Sequence, residues 1–87
     1  MSRIALRGDY DLSRKDELQN MFDGVPPELD VVLDLGEATY LDSMFLNQLA
    51  RLHRRRSEGA TVALEQPNKR TRHLLRLVGF DKLFLVS

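Results

Sequence analysis

The stretch Val31-Val32-Leu33-Asp34-Leu35-Gly36-Glu37-Ala38-Thr39-Tyr40-Leu41-Asp42-Ser43 decides the reading of this chain. Its opening is β-branched or leucine apart from Asp34, an almost unbroken apolar run of the kind a central strand covered on both faces carries. Directly after Ser43, apolar residues recur at helical spacing: Phe45, Leu46, Leu49, Ala50 and Leu52. The spacing predicts a strand over Asp30 to Leu35, a connection over Gly36 to Leu41, and a helix from Ser43 to about Ser57. Gly59 is read as its C-cap. Asp42 or Ser43 caps the helix by accepting hydrogen bonds from its free amide groups.

Working outward, Ser2 to Leu6 reads as a short strand cut off by Gly8. Gly8-Asp9-Tyr10-Asp11 reads as a turn, because glycine permits positive φ and aspartates bond to nearby amides. Ser13 is then a helix N-cap, with Asp16 and Glu17 in the first turn where the helix dipole favours acids. Leu18, Met21 and Phe22 make one apolar stripe, so this helix runs from about Arg14 to Phe22. Pro26 and Pro27 forbid its continuation. Beyond the central helix, Ala60 to Leu64 reads as a third strand, and Gln66-Pro67-Asn68 as a turn with Asn68 as N-cap. Thr71, Leu74, Leu75 and Val78 form the stripe of a third helix ended by Gly79, and Leu83 to Val86 is a last short strand.

The resulting order is βαβαβαβ. Such alternation with short connections predicts a small α/β domain over residues 1–87, a mostly parallel sheet with right-handed crossovers. Functional sites in such sheets gather at the carboxyl ends of strands and the amino ends of the following helices. Gly8 to Asp11 and Tyr40 to Ser43 both occupy that position, so they are expected to be neighbours.

Composition excludes several classes. There is no cysteine, hence no disulfide, thiolate metal site or cysteine nucleophile, which fits a cytoplasmic protein. No apolar run is long enough to cross a bilayer and no signal peptide is visible. Net charge is zero, but Met1 to Phe45 holds ten acids against four bases, and Leu46 to Ser87 nine bases against three acids. The asymmetry is either an uneven solvated surface or a docking surface that steers partners. The overall basicity of a dedicated nucleic-acid binder is absent.

Catalytic constellations are missing as well. A nucleophilic Ser43 needs a base, and His53 lies about 15 Å further along the same helix. His73 has no feature marking it as a base. Asp9, Asp11 and Asp42 are explained by turn and cap roles before a cation site. No phosphate-binding glycine motif occurs, so neither catalysis, cofactor nor metal is expected. The basic segment Arg51 to Arg56 complements the negative end of its helix. With Lys69, Arg70, Arg72 and Arg76 it leaves open a different class of function, a small phosphate- or RNA-binding protein using the basic second half, although stacking aromatics are not interleaved. Met44 follows Ser43 and is expected to point away from the apolar stripe, as an exposed contact residue.

The order of elements and the motifs Gly8-Asp9-Tyr10-Asp11, Val32-Leu33-Asp34-Leu35 followed by Tyr40-Leu41-Asp42-Ser43, Glu58-Gly59-Ala60, and Val78-Gly79-Phe80 with Phe84 resemble the STAS family. That family is named for sulfate transporters and anti-sigma factor antagonists. The resemblance covers nearly the whole chain, which relative to the family lacks the usual first strand and last helix. An edge and a core face left open in that way are expected to favour a homo-oligomer or docking onto a larger partner. In bacterial members, the serine after the aspartate is phosphorylated by a partner that is both anti-sigma factor and kinase. The resemblance thus implies Ser43 as phosphoacceptor of a non-enzymatic transcription regulator, with Asp42 shaping the site and Asp11 at the partner interface; Asp9 and Met44 are expected at the same partner surface. Met44 and Phe45 replace a small residue and glycine, and resemble instead the members that serve as subunits of stress-sensing scaffolds or transporter-associated complexes.

Overall fold

A computed structural model describes all residues, Met1–Ser87. Four strands form one sheet: β1 (Ser2–Tyr10), β2 (Val31–Leu41), β3 (Val62–Glu65) and β4 (Leu85–Val86). Their order is β1-β2-β3-β4 and every pairing is parallel. Three helices alternate with them: α1 (Lys15–Asp23), α2 (Ser43–Arg54) and α3 (Lys69–Leu77). This is the βαβαβαβ domain that the hydrophobic periodicity predicts.

One core holds the elements together. Leu6 and Tyr10 of β1, Leu33 and Leu35 of β2, and Val62 and Leu64 of β3 are buried with Leu18 and Phe22 of α1, Phe45, Leu49 and Leu52 of α2, and Leu75 of α3. Phe84 closes the far end, edge-on to His53 with ring centroids 5.3 Å apart. The opposite face of the sheet is more open than a strand covered on both faces. Arg3, Ala5 and Arg7 alternate outward along β1, and Asp34 of β2 is only half-buried. Arg3 spans this face, 2.6 Å from Glu65 on β3.

The first two strands are longer than their sequences suggest. Gly8 does not end β1; it sits at φ +78° inside the strand. Gly36 to Leu41 is not a connection but the second half of β2, paired with Arg7 to Tyr10. The register slips twice, between Ala5 and Arg7 and between Gly8 and Asp9, and each time β2 carries one extra residue. Such bulges let a strand continue through residues with weak strand propensity. Pairing with β1 supplies the hydrogen bonds, and burial of Ala38 and Leu41 supplies the packing.

Helix boundaries also shift. Ser13 is not the N-cap of α1. Asp11 caps a short 3-10 turn, Leu12–Arg14, by accepting from the Ser13 N–H, and α1 follows at Lys15 without a side-chain cap. α2 ends at Arg54, short of Ser57, because the Ser57 N–H turns to the Pro27 carbonyl at 2.8 Å. Gly59, at φ +88°, serves the tight turn from Ser57 to Ala60 and not the helix end. The last strand is trimmed to Leu85–Val86.

Candidate functional site

The parallel pairing of β1 and β2 ends with Tyr10 beside Leu41. The chain leaves both strands at the same level, so Asp11 and Asp42 open the 3-10 turn and α2 next to each other. This is the expected juxtaposition of Gly8–Asp11 with Tyr40–Ser43. Asp42 is extended and its carboxylate accepts the Met44 N–H at 2.9 Å, which makes it the N-cap of α2. Ser43 is therefore the first helical residue, exposed, with its hydroxyl unbonded to the rest of the chain.

Met44 departs from expectation. It is 8% exposed, not a projecting contact residue. α2 packs on α1 as well as on the sheet, and Met44 joins the core while lining, with Gln48 one turn on, the groove shared with Lys15 at the start of α1. Phe45 is fully buried in the core. Both bulky side chains after Ser43 thus point inward and leave the serine accessible.

Ser43, Met44, Asn47 and Gln48 of α2 face Leu12 and Lys15 across a groove of about 320 Å³. Leu12 is 72% exposed, a large apolar side chain at the rim of this groove. A single leucine among polar residues has no periodicity and so carries no sequence signal. The groove offers an apolar anchor, a cation, two amide side chains and a free hydroxyl at the positive end of a helix.

Asp11 and Asp42 start neighbouring elements, but each acid named from sequence has its own local partner and the three do not form one cluster. Asp9 lies in β1 and accepts from the Thr39 hydroxyl of β2. It does not line the groove. Asp11 accepts from the Ser13 hydroxyl and N–H, and these donors hold its carboxyl below the ordinary carboxylate range.

Arg14, which sequence pattern marks only as a helix start, organises the approach to this end. Its guanidinium lies 3.9 Å from the Tyr10 ring centroid and chelates Glu17 at 2.7 and 3.1 Å. It also donates to the carbonyls of Arg7 and Asp9 at 2.9 and 3.0 Å. The Glu17 carboxylate is held below its usual range by this contact. Arg14 thereby occupies carbonyls of β1 that would otherwise form an open sheet edge. On the other side of β2, the first turn of α3 replaces a missing strand. Asn68 reaches the carbonyls of Ala38 and Thr39 at 3.4 Å, and Arg70 reaches that of Leu41 at 3.1 Å while stacking 4.6 Å from the Tyr40 ring.

His53 is committed to its edge contact with Phe84, and His73 is exposed on α3. No helix is long and apolar enough to cross a membrane. The family model described as "Mlab, STAS domain" matches residues 1–87, and a comparison with curated proteins gives no match. The chain belongs to the STAS domain family, whose members have a general regulatory role through protein–protein interaction.

Proposed function

We propose that this STAS-domain protein is a non-enzymatic regulator resembling an anti-sigma factor antagonist, which docks on an anti-sigma factor with serine kinase activity and is released when Ser43 is phosphorylated. The observation that carries the reading is the exposed Ser43 at the first position of α2, with Asp42 already bound to the Met44 N–H. A phosphate there meets the positive end of a helix, so the fold tolerates it. It adds about −1.5 to −2 charges beside Asp42 and at the rim of the Leu12–Lys15 groove. Release follows from repulsion and steric conflict at the docking surface, not from unfolding. Leu12 lines the groove; Asp11, beside it in the chain, and Asp9, in β1, do not, and they touch the partner only if the contact extends beyond the groove.

A second reading is favoured by Met44 and Phe45, which replace the small residue and glycine of the phosphorylated antagonists. In it, the chain is a permanent subunit of a scaffold or transporter-associated complex, and Ser43 is a contact residue only. Incubation of the protein with host lysate and ATP, followed by peptide mass spectrometry, separates the two. Phosphate on Ser43, absent from Ser43→Ala, supports the switch. An unmodified Ser43 under conditions where the partner is bound supports the subunit.

A further inference from the structure

The chain has two basic runs, and the fold uses them differently. On α2, Arg51 and Arg55 both hold Asp23, at 3.3 and 2.6 Å. Arg56 donates to the carbonyls of Leu52, Pro26, Leu29 and Val25. That run is consumed within the molecule. On α3 no carboxylate pairs with Lys69, Arg70, Arg72, His73 or Arg76.

Buried Thr71 and Leu75 define the inner side of α3. At about 100° per residue, Lys69, Arg72, His73 and Arg76 fall together on the outer side. With Arg70 they surround a concavity of about 640 Å³ that has neither an acidic nor an apolar residue in its wall. Arg70 leans toward Leu41 and Tyr40, and Arg72 touches the Ser87 carbonyl at 3.3 Å. Lys69, His73 and Arg76 make no side-chain hydrogen bond within the chain. Like charges three and four residues apart on a helix repel, and nothing in the fold relieves this row. An external polyanion does.

The same outer side ends in an apolar residue. Leu77, four residues after His73, is 68% exposed, and Val78 and Leu83 beyond it are 47% and 51% exposed. A row of cations ending in exposed aliphatic side chains is the pattern of a helix lying at a lipid–water boundary. The exposed aromatic beside this face, Tyr40, is covered by the Arg70 guanidinium at 4.6 Å, which leaves no free phenyl or indole face to stack on bases and disfavours single-stranded nucleic acid. The face also lacks the aromatic anchors and neutral hydrogen-bonding groups that mark specific protein contacts. We propose that the outer face of α3 docks on an anionic membrane surface, with Lys69, Arg72, His73 and Arg76 against lipid phosphates and Leu77 in the headgroup boundary. This surface is distinct from the Ser43 groove, and its occupation does not depend on how Ser43 is used.

The test is co-sedimentation with phosphatidylcholine vesicles made with and without phosphatidylglycerol, at low and high salt. The expected result is binding to the anionic vesicles only, weakened by salt. Arg72→Ala combined with Arg76→Ala weakens it by about thirtyfold, the loss expected for two membrane-facing cations. Lys69→Gln with His73→Gln weakens it too, and Leu77→Ser reduces it without changing the circular dichroism spectrum. Absence of binding to anionic vesicles at low salt overturns the proposal, as does wild-type binding by both double variants. A single-stranded RNA oligonucleotide is measured in parallel. RNA binding that the same variants abolish, without vesicle binding, assigns the face to nucleic acid and overturns the membrane assignment.

Discussion

The Asp42 carboxylate accepts the Met44 backbone N–H at 2.9 Å, and Ser43 lies between the two with its hydroxyl free. Capping and signalling are thus divided between adjacent residues. Ser43→Asp and Ser43→Ala are expected to keep the wild-type unfolding free energy to within about 0.5 kcal/mol, as exposed substitutions do. Asp42→Ala, by contrast, loses about 1 kcal/mol as the cap is removed. Urea denaturation of the three variants checks the division. A large loss in Ser43→Ala would make the serine a structural residue.

Leu49 is fully buried on the core side of α2. Leu49→Ala is expected to destabilise by about 2–5 kcal/mol, the range for a truncated core leucine. An unfolding midpoint near the wild-type value would contradict the orientation of α2.

The Arg56 guanidinium holds four backbone carbonyls at the end of α2 and in the loop before β2. Burial lowers its pKa from the ordinary value, consistent with a structural position. Arg56→Ala is expected to cost about 1–3 kcal/mol by leaving those carbonyls short of donors. Arg54→Ala, two residues away and exposed, is expected to be near neutral. Equal effects in thermal melts would refute the distinction.

Arg14 seals part of the β1 edge through the carbonyls of Arg7 and Asp9. Arg14→Ala uncovers these acceptors, and self-association that grows with protein concentration is the expected consequence. Sedimentation velocity at several concentrations measures it; a monomeric variant at every concentration would show that the edge is protected by other means.

Acid sensitivity follows from the same corner. Hydrogen bonds from Ser13 lower the Asp11 pKa, and the Arg14 contact lowers that of Glu17. In the unfolded chain both return to ordinary values near 4. Folding therefore gains stability above about pH 4.5, and the gain disappears as pH falls through the lowered folded-state values. The midpoint of thermal unfolding should fall between pH 5 and 3, and less steeply in an Asp11→Asn, Glu17→Gln variant.

The element order and most of each helix's core stripe were legible because periodicity is a local property of the chain; Val78, counted in the third stripe, lies past the end of α3 and is 47% exposed. Asn68 and Gly79 were legible as helix punctuation for the same reason, and Asp42 as one of two candidate caps beside Ser43. The second halves of β1 and β2 were not, since Gly8, Gly36 and Thr39 become strand only through pairing across two bulges. Met44 misled because it joins the core at the edge of the groove formed with Leu12 and Lys15, a side that a stripe drawn for one face of α2 does not include. Arg14 and Leu12 carried no sequence signal for these roles: one acts through carbonyls and an aromatic ring, the other through exposure next to Ser43.

The most direct measurement of the central claim is quantitative affinity capture from the native host, with wild type and Ser43→Asp as parallel baits and Leu12→Asp as a groove control. The expected result is an ATP-binding serine kinase with anti-sigma activity held by wild type and lost with both variants. A partner held equally by all three baits would contradict the switch at Ser43 and move the docking surface away from the Leu12–Lys15 groove.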